Sequence, residues 1–230
     1  MNQFSRNIPL FGEESYNKII TKKIAVVGIG GVGSYAVEAL ARTGVGSLII
    51  IDDDKIDITN INRQIWALNS TIGKYKVDVA RERLLDINPE LKIEVHNNRL
   101  TAESVEKIIT RDVDFVIDAI DSINDKVSLI EFCLKKNIPV ISCMGAARRK
   151  DPTQIKTGNI NGQISGPLIK RLRKELRKRN VTLNFPIVYS AEKAIDVQKG
   201  EPLPSCCFTT GTVGFTAAAY VCEFFSNDKG

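Results

Sequence analysis

The stretch that most constrains this chain is Lys23-Ile-Ala-Val-Val-Gly28-Ile-Gly30-Gly31-Val-Gly33-Ser34. Its apolar, β-branched start reads as a fully buried strand. Glycines 28, 30, 31 and 33 then turn the chain, and an Ala-rich helical pattern runs from Tyr35 to Arg42. Such glycines allow a tight turn and a close approach to a ligand, and the free amides at the start of the helix face an anion, above all phosphate. In a nucleotide-binding βαβ unit an acidic residue follows about 20 residues later, at the end of the next strand, to bind a ribose hydroxyl. Here Ser47–Ile51 is strand-like and ends in Asp52-Asp53-Asp54. The pattern therefore assigns phosphate to Gly28, Gly30, Gly31 and Gly33, and makes Asp52, with Asp54 beside it, a nucleotide-binding candidate.

The same alternation continues. Gly44 and Gly46 read as the end of the first helix. Asp57–Asn69 is a polar segment without a clear period, expected as an ordered loop with short turns. Gly73–Ile87 carries a helical apolar face at Val77, Ala80, Leu84 and Ile87, stopped by Asn88-Pro89. Lys92–Val95 alternates like a strand. Thr101–Thr110 reads as a short helix with Thr101 as N-cap, Asp112–Ala119 as a buried strand, Ser122–Lys136 as a helix and Ile138–Cys143 as a strand. A short amphipathic helix is expected before all of these, near Glu13–Ile20. Strands alternating with helices predict an α/β, Rossmann-like, doubly wound and mostly parallel sheet. Beyond Cys143 come a strand at Gln154–Asn159, a basic helix at Leu168–Asn180, a strand at Ile187–Ser190 and an apolar helix at Thr209–Phe225. The expectation is a single ATP-binding domain over 1–230, with 144–230 as a C-terminal extension of the same sheet.

Composition narrows the class. Met1–Leu10 lacks the apolar core of a secretory signal. Thr209–Phe225, broken by Gly211, Gly214 and Glu223, falls short of the roughly 20 apolar residues of a membrane span. No membrane association is expected. The five cysteines, at 133, 143, 206, 207 and 222, form no C-x-x-C pair, so neither a zinc knuckle nor a disulfide framework is indicated. Reduced thiols and a cytoplasmic location follow as the default.

Chemistry enters with Asn60-Ile61-Asn62-Arg63-Gln64. A nicotinamide dehydrogenase has no need of these residues. A polar Asn60–Arg63 pair beside phosphates suits attack on the α-phosphate of ATP, with Arg63 neutralising charge that grows on the phosphoryl oxygens. Lys76 is placed to reach the same phosphates. Each basic residue alone is more simply a solvated surface charge; their order along the chain is what joins them. Asp118-Ala-Ile-Asp121 ends a strand where open α/β sheets bind ligands. Asp121, beyond the strand, is the candidate to hold Mg²⁺ against the triphosphate. The single histidine, His96, reads as a surface side chain. The helix at 168–180 holds seven Lys/Arg and one Glu, while Leu168, Ile169, Leu172 and Leu176 share a face. Such a charge run is either a solvated face or a binder of nucleic-acid phosphates.

The segments V-G-I-G-G-V-G, D-D-D, N-I-N-R-Q and D-A-I-D-S, from about Ser5 to Cys143, resemble the ubiquitin-activating superfamily and its bacterial relatives, which adenylate carboxylates. Leu40–Gly46, Asn62–Leu68, Met144–Ala147 and Lys150–Ile155 resemble its tRNA threonylcarbamoyladenosine dehydratase branch. The resemblance implies a ubiquitin-activating-enzyme-like fold. It also implies use of ATP and Mg²⁺ to adenylate the threonyl carboxylate of a modified adenosine next to the tRNA anticodon, and ring closure with net loss of water. It gives catalytic roles to Arg63, Asp121, Lys76 and Asn60, and to Arg6, an N-terminal arginine that reaches into a partner's site in a homodimer. With tRNA as partner, Lys170, Arg171, Arg173, Lys174, Arg177 and Lys178 become candidate tRNA-binding residues. The alternative is adenylation of the C-terminal glycine of a ubiquitin-like sulfur carrier, which needs the same first half; a third reading, different in class, is a non-catalytic nucleotide-sensing module or a sulfur-relay scaffold, and a sulfur-relay protein is a further candidate partner. The zinc-binding C-x-x-C pairs of many biosynthetic relatives are absent here, and Cys206-Cys207 matches the family's C-terminal cysteine region only loosely.

Overall fold

A computed structural model describes residues 3–164, 166–198 and 200–227. After the short helices α1 (Ile8–Phe11) and α2 (Glu13–Ile19), the chain runs β1 (Lys23–Val27), α3 (Gly33–Thr43), β2 (Ser47–Ile51), α4 (Lys76–Ile87), β3 (Lys92–His96), α5 (Val105–Ile108), β4 (Phe115–Asp118), α6 (Ile123–Lys136) and β5 (Val140–Cys143). It continues through β6 (Ile155–Asn159), α7 (Pro167–Lys178), β7 (Pro186–Ser190) and α8 (Cys207–Asn227). One sheet holds all seven strands in the order β3-β2-β1-β4-β5-β7-β6, parallel except for β6, which pairs antiparallel with β7. The chain starts at β1, works outward to β3, then restarts at β4 on the other side of β1. The carboxyl ends of β1 and β4 therefore diverge, which opens a crevice at this switch point.

Central strands are buried on both sides, so they read as continuous apolar runs rather than alternations. Along β1, Ile24 and Val26 face a core with α2, α3, α4 and α8, while Ala25 and Val27 face a second core with α5, α6 and α7. The last helix, α8, packs along α3 so closely that a Cβ on Gly214 would stand 2.3 Å from the Val32 carbonyl oxygen.

Several predicted boundaries shift for physical reasons. Gly44, at φ +89°, alone caps α3, and Gly46 lies beyond it. α4 starts at Lys76, not Gly73, because residues 73–75 pair back on 54–56: Gly73 N–H donates to Ile56 O, Ile56 N–H to Lys74 O, and Lys76 N–H to Asp54 O. The helix expected over 101–110 shrinks to α5; the Ser104 hydroxyl accepts the Thr101 N–H, so Thr101 is not the N-cap. The strand expected from Asp112 pairs as a strand only from Phe115, because the Asp112 and Asp114 side chains bind Lys23 instead. Asn137 caps α6 in a left-handed conformation and Pro139 has no N–H to donate, so β5 begins at Val140. Among the described residues, no helix is long and apolar enough to cross a membrane.

Candidate active site

The crevice is a cleft of about 790 Å³, within the range of small-molecule sites. Its first wall is the turn after β1. Gly28 sits at φ +82°, where a Cβ would come 2.9 Å from Ala119 O; a Cβ on Gly33 would come 1.9 Å from Gly28 O. Neither position admits a side chain. Among the described residues the amides of Gly30, Gly31 and Val32, which line the cleft, have no acceptor, so the turn before α3 offers a cluster of donors there.

Asp52 stands at the end of β2 with its side chain almost covered. Its Oδ2 accepts the Ile29 N–H at 2.8 Å and its Oδ1 the Asp54 N–H at 3.0 Å, which braces the glycine turn. Burial pushes its carboxyl above the ordinary aspartate range, against the attraction of Lys76. The Lys76 ammonium, itself buried, lies 2.5 Å from Asp54 and 3.3 Å from Asp52. The three carboxylates of Asp52, Asp53 and Asp54 lie within 4.8 Å of one another, but Lys76 already occupies the attraction of two of them.

The polar loop after Asp54 forms the short turn expected of it. Asp57 caps the turn at Ile58–Asn60, and the Asn60 side-chain oxygen accepts the Asp57 N–H at 3.1 Å. This turn aims Arg63 at the glycines. The Arg63 stem packs on Gly31, and its Nη1 donates to Thr59 O at 2.7 Å and Asn62 Oδ1 at 2.8 Å. Two neighbours escaped the sequence reading. The Trp66 indole donates to Ile29 O at 2.8 Å, pinning the turn from behind, and the buried Gln64 lines the cleft. Both lie in the Asn62–Leu68 stretch that carries the family resemblance, but nothing in the sequence assigned them a role.

Across the switch point, Asp121 is exposed in the loop between β4 and α6 and lines the cleft; its carboxylate suits a hard cation that takes oxygen ligands. Asp118 is different. It is fully buried, accepts from Lys126 Nζ at 2.8 Å and from Ser142 Oγ at 2.5 Å, and so ties β4, α6 and β5 together beneath the cleft floor. Arg99, also unforeseen, reaches Asp125 at 2.5 Å at the rim. The second wall comes from 144–149, the start of α7, Leu203, Ser205 and Thr210. Cys143 is the thiol that lines the cleft, and burial pushes it up to about 12, which leaves it no nucleophile.

The structure thus brings Gly28, Gly30, Gly31, Asp52, Asp54, Asn60, Arg63, Lys76 and Asp121 to one cleft, with Gly33 packed beneath the turn. Arg6 lies exposed in the turn before α1, outside the cleft of its own chain. On α7, Lys170, Arg171, Lys174, Arg177 and Lys178 are exposed, the last paired with Glu175. Arg173 corrects the expectation of an exposed face: its Nε donates to Ile160 O at 2.6 Å and its Nη2 to Gly162 O at 2.7 Å, so it holds the loop after β6.

Comparison with known proteins finds relatives in both sequence and structure. The sequence model of the ThiF family matches residues 4–228. A Bacillus subtilis (strain 168) tRNA threonylcarbamoyladenosine dehydratase is 42% identical over 199 residues, covering 86% of this chain and 78% of that protein. The Haemophilus influenzae protein of the same name is 40% identical over 227 residues, covering 94% and 85%. The crystal structure of the E. coli enzyme, TcdA, in complex with ATP superposes with a TM-score of 0.91 at 36% identity, covering 97% of this chain and 93% of that one.

Proposed function

Because the chain belongs to the ThiF family, and its cleft is built as described, we propose that it is an ATP-dependent tRNA threonylcarbamoyladenosine dehydratase. The observation that carries this reading is convergence: N–H donors and carboxylates spread from Gly28 to Asp121 meet in one cleft whose second wall is left for a substrate. A free carboxylate is a poor electrophile, because its leaving group would be oxide or hydroxide. The threonyl carboxylate oxygen attacks the α-phosphorus of ATP, the bond to the β-phosphate breaks, and pyrophosphate leaves. The tethered carbamoyl group then attacks the acyl carbon, AMP leaves with the bonding pair, and a carbamoyl proton is lost. The second attack is intramolecular, worth on the order of 7–11 kcal/mol, and needs no enzyme nucleophile. This fits a cleft whose lining thiol is held protonated.

In this reading the free amides of the glycine turn bind the phosphates, and Asp52 uses its remaining lone pairs on the ribose. Lys76, aligned by Asp52 and Asp54, and Arg63 neutralise the charge that develops on the triphosphate; Asn60 shapes the turn that presents Arg63. Asp121 would hold Mg²⁺, which would supply further neutralisation of phosphate charge. The chain acts as a single adenylating unit in the cytoplasm, as a homodimer in which Arg6 serves the partner's cleft. The exposed charges of α7 meet the tRNA backbone, since the start of that helix borders the cleft. A sulfur-relay partner belongs to the alternative with a ubiquitin-like substrate. One experiment separates the readings: incubation with ATP, Mg²⁺ and tRNA carrying threonylcarbamoyladenosine, followed by mass analysis of the nucleosides. Loss of one water from that nucleoside is the expected result. No change, together with pyrophosphate exchange supported by a peptide ending in Gly-Gly, would overturn it.

A further inference from the structure

Among the described residues, five cationic side chains line the cleft, and three already face carboxylates. Lys76 has Asp52 and Asp54, Arg99 has Asp125, and Arg148 has Asp196 at 3.5 Å. Among the described residues, Arg63 and Arg149 have no carboxylate within ion-pair distance. Arg63 lies over the phosphate turn. Arg149 stands on the opposite wall and is not part of any role assigned above.

The Arg149 guanidinium is fixed by backbone. Its Nε donates to Glu192 O, and its Nη1 to Gly145 O and Ala147 O, each at 3.2 Å. These three bonds use the Nε hydrogen and both Nη1 hydrogens, so the two hydrogens on Nη2 have no acceptor among the described residues. The side chain is half-buried, and that burial disfavours its charge, which Arg148 opposes further and the nearby Glu192 only partly offsets. An anionic ligand would compensate a charge so placed. Its backbone is tied to the phosphate side of the cleft: the Thr209 hydroxyl donates to Arg149 O at 3.2 Å, and the next residue, Thr210, has its Cβ 3.5 Å from where a Cβ on Gly31 would stand.

The reaction places two anions in this cleft, a triphosphate and a carboxylate. The structure offers two guanidinium groups without a carboxylate, one on each wall. We infer that Arg149 receives the threonyl carboxylate and aims its oxygen at the α-phosphorus, an inference that rests on the dehydratase reading. The planar fork of arginine matches a carboxylate in a way a lysine does not. The carboxylate loses its charge when the oxygen bonds to phosphorus and pyrophosphate departs. The contact therefore belongs to the bound substrate more than to the acyl adenylate. Loss of Arg149 raises KM for the modified tRNA more than it lowers kcat.

The test is a thermodynamic cycle on the full chain with a non-hydrolysable ATP analogue bound. The protein and its Arg149→Gln variant, which keeps a donor for the loop carbonyls but no charge, are each measured against two tRNAs. One carries threonylcarbamoyladenosine as the free acid, the other its methyl ester. Esterification is expected to weaken binding to the unaltered protein by about tenfold or more, and to have no effect in R149Q, with affinity for the ATP analogue unchanged. If esterification costs as much in R149Q, or costs nothing in the unaltered protein, Arg149 does not read the carboxylate. If R149Q does not fold, the R149M variant, which keeps the packing of the stem without the charge, carries the same comparison: an ester penalty as large as that of the unaltered protein overturns the inference. Failure of the dehydratase reading shows separately, as absence of dehydration by the unaltered protein with ATP.

Discussion

Arg63 contributes little to the fold, because its two bonds are to its own loop and its stem rests on a glycine. Arg63→Ala should therefore leave the melting temperature nearly unchanged and lower kcat by about 10² or more, the size of a lost group that stabilises transition-state charge. A normal rate would remove it from the site. Asp121→Asn should behave alike and, if Asp121 holds Mg²⁺, should also raise the Mg²⁺ needed for half-maximal rate. These residues were legible in the sequence because their spacing from a strand and a glycine turn leaves them few places to go. Arg173 was not, since whether a long basic side chain faces solvent or folds back on a carbonyl depends on a loop that the helix pattern does not describe. The partners of Asp118 were equally hidden: Lys126 and Ser142, 8 and 24 residues further along, are joined to it only by the packing of three elements.

At the scale of elements, α7 divides into a docked face and a charged one. Replacing Lys170, Arg171, Lys174 and Arg177 with Ala leaves Ile169, Leu172 and Leu176 buried, so thermal stability should hold. For every tRNA phosphate that thereby goes unneutralised, the plot of log affinity against log salt should flatten by about 0.7–0.9, and ATP affinity should stay as it was. Unaltered tRNA binding would remove the helix from the interface. Arg173→Ala should do the opposite, costing about 1–3 kcal/mol of stability through two charge-assisted bonds to carbonyls. A second element-scale prediction concerns Glu38 on α3, which binds Arg42 of its own helix and Arg83 of α4. Burial works against its ionisation, but the two guanidinium groups outweigh it and hold the carboxyl below the ordinary glutamate range. The stability this contributes is complete above the unfolded value, near about 4.3, and is lost as pH falls through the lowered folded value. Melting curves should show Glu38→Gln less stable by about 1–2 kcal/mol at neutral pH, allowing for the solvent around the arginines, with the gap closing in acid. A gap independent of pH would contradict the assignment.

At the scale of the whole molecule, the alternation of strands and helices was enough to read a doubly wound sheet, because parallel strands buried on both faces leave continuous apolar runs. The reversal of β6 was not readable, since a short edge strand carries the same residues in either direction. Nor was the reach of α8, whose apolar character says that it is buried but not that it lies on α3 and touches the turn at Gly31. That placement has a consequence for synthesis on the ribosome. The α3 surface that α8 covers is finished by residue 43, while α8 begins at residue 207. At about 5–20 residues per second, Val32 and Ala36 wait on the order of ten seconds or more for the partner that shields them. From the moment Asp121 is made, the nascent chain carries every residue from Gly28 to Asp121 and exposes an oily groove beside them. A ribosome stalled shortly before Cys207 would display a sticky intermediate in need of a chaperone, and full nucleotide affinity would arrive only once α8 is made.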